Sequence, residues 1–459
     1  MKKTKLLALG ISVLLMFSLF SGCAKKDSPT TPSTEGEKTE EDKKEADVEQ
    51  GEADAEPVKI TFFNTSAEVN NEFDELFATY HDLNPNVTIE LIPTPVGGAQ
   101  IEKFQSLLAS GNPATIANLD PGFIQLYNDK FLDLEPMKAE YEEIAQPGAI
   151  EGALLDGKFL GIPYTVQGYG LLYNTRVVEE AIGKTFDPKT IKTRDDLEAL
   201  FEEIAATGKP PMLLHGADWS LGAHYLGLTY SLQSKKVAEN LEWVNGLKDG
   251  SADLASNDKF TGLMDTFDLL SKYNIRAEDA LVADHDRDSL DFAKGETAFY
   301  FMGDWLWSTI GTMEDRDQEF GMIPVPISND PSDDDNMRVA VSQPKLMAID
   351  DSGSTPEQQA AAKDFLKWML TSDEGHEMLT VKMGFTMPYK NVEAKSTNVL
   401  ATVVSEYIAE GNTIDIGVIN NFPADYWAKT GASMQKYIVD KIDRAGLAEE
   451  VQDYWKSLQ

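Results

Sequence analysis

The chain has 459 residues, with 77 Asp plus Glu against 40 Lys plus Arg and a formal net charge of -37. Such an excess of carboxylates repels polyanions and excludes nucleic acid as a partner. A single cysteine, Cys23, excludes an intrachain disulfide framework, a CxxC redox centre and a thiolate metal cluster.

The front of the chain reads as a targeting segment. Lys2, Lys3 and Lys5 form a basic start, and the apolar run from Leu6 to Phe20 is too short to span a bilayer core comfortably. Residues 1–22 are therefore expected to be a signal peptide. It ends in Phe20-Ser21-Gly22-Cys23, which resembles the lipobox of bacterial lipoproteins, with Phe20 where an aliphatic residue is usual. The resemblance implies that the Cys23 thiol takes a diacylglycerol and that cleavage makes Cys23 the new N-terminus. After it, residues 24–57 hold 12 acidic and 5 basic residues and almost no large apolar ones. Such a segment cannot bury enough surface to offset its ordering entropy, so 23–57 is expected to be a lipidated, disordered, acidic tether. No later apolar stretch is long enough for a span, so any membrane attachment would be by lipid only.

From Val58 onward the order of elements points to an α/β body. Lys59 to Phe63 and Val87 to Ile92 are strand-like, as is Thr115 to Leu119. Glu72 to His81 places Phe73, Leu76, Phe77 and Tyr80 at helical spacing, and Ile101, Phe104, Leu107 and Leu108 repeat it. Alternating strands and helices predict a parallel sheet whose ligands gather at the carboxyl ends of the strands. Further helices are predicted at Arg194 to Ala205, Thr261 to Tyr273 and Thr355 to Leu370, and strands at Thr297 to Met302 and Lys345 to Ile349. Phe320 to Ile327 is extended because of Pro324 and Pro326, and the tail from Asn398 is mostly helical. Just over 400 residues is more than one hydrophobic core usually serves, so at least two domains are expected.

Several segments, in order, resemble the extracellular solute-binding proteins of sugar ABC importers, the family of the maltose-binding protein. They are Asp156 to Tyr164 running on to Leu172-Tyr173-Asn174, Lys294 to Ala298 followed by Gly303-Asp304-Trp305, Ala361 to Trp368, and Gly384 to Pro388. Asn112-Pro113-Ala114 departs from the family pattern, which has an Asp after this proline. The resemblance implies a two-lobed, class II periplasmic-binding-protein-like α/β fold, with crossovers near Tyr164 to Val166, Val341 to Gln343 and Lys395 to Asn398. One lobe would comprise 58–164 plus 343–396, the other 165–342 plus 397–459. Hinge closure would trap a sugar, an oligosaccharide by preference, and present it to an ATP-driven permease. The protein would be a lipid-anchored monomer on the extracytoplasmic face of the cell membrane, with no catalysis and no cofactor.

A carbohydrate cleft needs planar polar groups for hydroxyls and aromatic rings for apolar sugar faces. Trp305 is the first aromatic candidate, since the resemblance puts a stacking Trp after that strand; Trp427 matches a second such position, and Trp219 lies in a polar loop. Trp307 and Trp368 are assigned to packing. Asp120 stands on the expected ligand rim and resembles a family hydroxyl acceptor, with a helix N-cap before Pro121 as the competing role. Gln167 follows the first crossover, Asn64 and Glu68 follow the first strand, and Tyr169 and Phe385 complete the expected set.

Other chemistry finds little support. Asp284, Asp286 and Asp288 have the spacing that opens a calcium loop, but Ser289 and Gly295 stand where such a loop needs Gly and Glu. No HExxH, GxSxG or phosphate-binding glycine loop occurs. Two alternatives stay open: the same fold with a non-sugar guest such as a polyamine, which the charge suits, and a secreted glycoside-acting enzyme using a pair of carboxylates.

Overall fold

Each of two sheets is built around strands whose side chains are buried on both faces. The computed structural model describes residues 56–94, 100–146, 149–150, 153–155 and 157–458. The expected signal peptide, Cys23 and all but the last two residues of the expected tether lie outside the described residues. Among the described residues no helix is long and apolar enough to cross a membrane.

The first strand, β1 (Val58–Asn64), buries Ile60, Phe62 and Phe63 and pairs in parallel with β2 (Val87–Pro93) and β3 (Ile116–Leu119). Helix α1 (Asn70–Leu83) bridges the first two strands and α2 (Gln100–Ala109) the next. Phe73 and Phe77 of α1 lie 4.9 and 5.2 Å from the Phe62 ring, so the helical spacing in the sequence becomes a packed face. Two short helices follow, α3 (Pro121–Leu126) and α4 (Glu135–Ile144), then a small hairpin of β4 (Leu154–Leu155) and β5 (Lys158–Phe159). β6 (Ile162–Pro163) ends this part of the chain.

Within three residues the chain enters the second sheet as β7 (Gln167–Asn174), its central strand. There follow α5 (Thr175–Ile182), α6 (Arg194–Ala206), β8 (Met212–Leu213), a π-helical segment at Trp219–Tyr225 and α7 to α10 (Gly227–Ser231, Val237–Asp249, Asp258–Lys272, His285–Ala293). β9 (Phe299–Gly303), α11 (Leu306–Ile310), β10 (Phe320–Ile323) and β11 (Val339–Ser342) complete most of this half. β7 pairs antiparallel with β9 along one side and with β10 and β11 along the other.

The chain then returns to the first sheet as β12 (Leu346–Ile349), antiparallel to both β3 and β6, and continues into α12 (Pro356–Thr371) and α13 (Asp373–His376). It ends on the second half with α14 (Val399–Glu410), β13 (Thr413–Asp415), α15 (Tyr426–Ile438) and α16 (Arg444–Lys456). The strand orders are β2-β1-β3-β12-β6 and β13-β11-β7-β9-β8, with β10 beside β7. The expected parallel sheet is thus parallel only over β2-β1-β3. Of its last two strands only β12 runs the other way, entering from the second sheet and not through a covering helix; β6, antiparallel to β12, points the same way as β3.

The cores divide likewise. One draws on residues between Ile60 and Tyr164 and again between Leu346 and Tyr389; the second half is filled by two others drawn from the region between Tyr169 and Trp455. The two-lobed α/β architecture is therefore the one expected.

Candidate functional site

A cleft opens where the two halves meet, and it is lined from both. From the first half come Glu68 and the Met383-Gly384-Phe385 loop; from the second come Gln167, Asp304, Trp305 and Ser308, with Asn398 at the start of α14. It holds about 250 Å³ of empty space, counting the part open to solvent, and that space is narrow. A sugar ring enters only if the walls part.

Glu68 is placed by the turn after β1. The amide of Asn64 donates to Ser66 O at 2.7 Å and to Asn70 Oδ1 at 2.9 Å, and its Oδ1 accepts from Ser66 N and from Asn118 Nδ2. Asn64 is fully buried, so its polar atoms are spent on holding this turn. Glu68, on the 3-10 turn Ala67–Val69, keeps solvent contact at the cleft wall while protein crowds it on the other sides. That crowding raises its carboxyl pKa, an effect its own backbone amide and the Lys345 charge only partly offset.

Trp305 is placed by a glycine. Gly303 ends β9, and a Cβ there would come within 1.9 Å of Cζ3 of the Trp305 ring, so the indole folds back over bare backbone. Its other contacts are the Tyr169 ring at 6.3 Å, edge to face, and the His224 ring at 5.0 Å. His224 comes from the π-helical segment and stacks on Tyr169 at 4.7 Å, and its ring lies 5.3 Å from Trp219. Burial among these rings lowers the His224 pKa to about 4, so the imidazole is neutral. Tyr169 is only 2% exposed and donates its hydroxyl to His224 O at 3.0 Å. It supports the cluster from behind.

The junction also holds a buried acid. Asp304 is 2% exposed; its Oδ1 accepts from Gly168 N at 3.3 Å, and its backbone N–H donates to Gly168 O. Burial pushes its carboxyl up to about 8, against the pull of these backbone amides. Asn398 joins the halves: its Nδ2 donates to Asp304 O and to Gly384 O, both at 3.1 Å, while its Oδ1 caps α14 through Leu400 N and Ala401 N. Gly384, at φ +74°, occupies a left-handed conformation suited to glycine and lets the loop turn beneath Asn398.

Of the nine residues anticipated from sequence, the structure brings Glu68, Gln167, Trp305 and Phe385 to one cleft. Phe385 is buried with its ring 5.6 Å from that of Tyr164, edge on, and shows the cleft little more than its rim. Tyr169 and Trp219 stand behind Trp305, linked to it through His224. Trp427, half-buried near the start of α15, packs against the second-half core and is not among the residues lining this cleft, and its backbone carbonyl presses on Gly222 of the π-helical segment. Asp120 does stand at the N-cap position of α3, yet its side chain caps nothing; its Oδ1 takes the Lys345 ammonium at 2.5 Å.

Asp304, Asn398, His224 and Ser308 were not anticipated. Asp304 adjoins the chosen tryptophan, and Asn398 before Val399-Leu400 carries an N-cap signature, so both had a readable signal. His224 had none, because the π-helical geometry breaks the period that would reveal its face. Two of the three spaced aspartates are otherwise engaged: Asp284 caps α10 through Arg287 N, and buried Asp288 meets His215 Nδ1 and Arg276 Nε, each at 2.7 Å. Trp307 lies under the Arg316 guanidinium and Trp368 beside Tyr80, both in packing contacts.

Comparison with known proteins follows the same lines. A family model described as bacterial extracellular solute-binding protein matches residues 75–403. An uncharacterized ABC transporter extracellular-binding protein of Pyrococcus horikoshii is 23% identical over 345 residues, covering 71% of this chain and 70% of the relative. Among solved structures, the solute-binding protein RafE in complex with raffinose superposes with a TM-score of 0.69 at 17% identity, covering 87% of this chain and 99% of that one. A chitin oligosaccharide binding protein gives 0.70 at 18% identity, covering 87% and 98%. At such identities the likeness shows the fold.

Proposed function

Since the chain belongs to the bacterial extracellular solute-binding proteins, we propose that it is the carbohydrate-capturing lipoprotein of an ABC importer. The observation that carries this reading is a cleft that pairs an indole ring with side-chain carboxylates and amides across two lobes. The raffinose and chitin-oligosaccharide neighbours lend support to an oligosaccharide guest.

The lobes are assigned as 58–164 plus 343–396 and 165–342 plus 397–459. Parting at the junction admits the guest, and closing brings both walls to it. Only the closed state contacts the guest on two sides, so binding shifts the equilibrium toward closure. Within the cleft Trp305 takes an apolar sugar face, and Gln167 and Glu68 take hydroxyls. Trp219, Tyr169 and His224 hold the Trp305 ring, and Trp427 and Asp120 are proposed to meet the guest beyond the lined cleft. The guest leaves unaltered, with no catalytic step and no cofactor. Cys23, acylated after removal of 1–22, fixes a monomer to the outer face of the cell membrane, where a permease receives the load.

Thermal-shift and calorimetric titration of the protein with mono- and oligosaccharides tests this. A saccharide that stabilises the protein and is recovered intact is the expected result. No shift with any saccharide, or recovery of cleaved sugar, refutes the reading. Cys23→Ser is expected to move the protein from the membrane pellet to the soluble fraction.

A further inference from the structure

Donors and acceptors in the cleft are unevenly supplied. Two lining residues carry carboxyls, Glu68 from the first lobe and Asp304 from the second, and among the described residues no Lys, Arg or His lines the cleft beside them. Lys345, whose charge reaches Glu68, is itself paired with Asp120 at 2.5 Å. The lining donors are already spent: Ser308 Oγ donates to Trp305 O at 2.7 Å, and Asn398 Nδ2 donates to Asp304 O and Gly384 O. That leaves the Gln167 amide and the Trp305 indole N–H as standing side-chain donors for a guest, with the Asp304 carboxyl able to donate only while it holds its proton.

A wall with this balance suits a guest rich in donors and poor in acceptors. Closing the lobes also brings two carboxyls into one poorly hydrated space, where an uncompensated negative charge is costly. Neutral hydroxyls can hydrogen-bond to the carboxyls but do nothing to lower the cost of ionising them in that space. An ammonium supplies several donors and the missing charge at once, and charge-assisted hydrogen bonds are about twice as strong as neutral ones. Trp305 adds a ring face that attracts cations.

We propose that the preferred guest is a cationic saccharide, an oligosaccharide bearing free amines, held by Asp304 and Glu68 with Trp305 beneath it. This rests on the saccharide reading above and narrows it. An N-acetylated sugar, which brings a carbonyl in place of the ammonium, meets too few donors, and an acidic sugar is repelled outright. Burial raises the pKa of both carboxyls, so ionising them there is costly unless a cation is beside them.

The test is calorimetric titration of the Cys23→Ser protein, at physiological ionic strength, with a glucosamine trisaccharide, its fully N-acetylated counterpart, cellotriose and spermidine. The expected result is that the amine-bearing trisaccharide binds at least about tenfold more tightly than the N-acetylated and neutral ones. That preference is expected to shrink to near parity in Asp304→Asn and Glu68→Gln. If the neutral or N-acetylated sugar binds equally well or better, the cationic inference falls while the saccharide reading stands. If spermidine binds and no saccharide does, or if none of the four binds, both fall. The wild-type ratio decides even if a variant fails to fold.

Discussion

Asp304→Asn isolates the energetic cost of the buried acid at the lobe junction. The substitution keeps the shape of the side chain and the Oδ1 that accepts from Gly168 N, and removes only the ability to ionise. In the folded protein the carboxyl titrates near 8; unfolded, it returns to its ordinary value of 3.8. Between these values the folded state holds a proton that the unfolded state has released, so stability falls as pH rises. The contribution is fully present below about pH 4, declines by about 1.4 kcal/mol per pH unit, and is exhausted above about pH 8, roughly 5 to 6 kcal/mol in all. Asparagine has no such slope. Urea denaturation of wild type and variant, followed by tryptophan fluorescence, is therefore expected to show the variant gaining roughly 2–3 kcal/mol on wild type between pH 5 and pH 7. The gain continues to about pH 8 and then levels off. Parallel pH profiles for the two proteins would mean that Asp304 is ionised and compensated, and the reasoning would be refuted.

Three further outcomes follow from the same geometry. Trp305→Ala is expected to weaken saccharide binding by roughly 1–3 kcal/mol in calorimetry, the usual worth of a stacked aromatic anchor, with the melting temperature little changed. Gly303→Ala drives a Cβ into the Trp305 ring; the expected cost is about 1–3 kcal/mol of stability and loss of any ligand-induced change in tryptophan fluorescence, and retention of that change would show that the ring is not held by the glycine. Asn398→Asp keeps the acceptor that caps α14 and loses the two donors that join Asp304 to Gly384, so small-angle scattering of the unliganded variant is expected to show a larger radius of gyration than wild type. An unchanged radius would remove Asn398 from control of the junction.

What the sequence makes legible follows from where the physics is local. Phe73, Phe77 and Tyr80 repeat at the helical period, so α1 and its buried face are readable, as is β1 from its run of Ile60 to Phe63. The antiparallel placement of β12 is not, because nothing in Leu346 to Ile349 says which sheet it will join or in which direction. The cleft divides in the same way. Trp305 and Glu68 advertise themselves by type and by position after a strand. Asn64 was legible as a rim residue, but only the folded turn reveals that its amide is consumed by Ser66, Asn70 and Asn118. Trp427 has the right type and sits on a helix whose other face must bury, and its half-buried ring packs against the second-half core outside the lining of the cleft. Asp304 is the reverse case: an ordinary aspartate in sequence, made unusual by a burial that local pattern does not encode.

The order of strands in the first sheet also sets a schedule. β3 lies between β1 and β12, so the half begun at Val58 is incomplete until Leu346 to Ile349 have been synthesised. The intervening stretch, meanwhile, builds most of a separate sheet. A nascent chain emerging amino end first therefore carries an unsatisfied edge on β3 for about half of its synthesis, and long-range pairings of this kind form slowly. The topology keeps the leading half pliable late into translation, and locks it only when the return strand arrives.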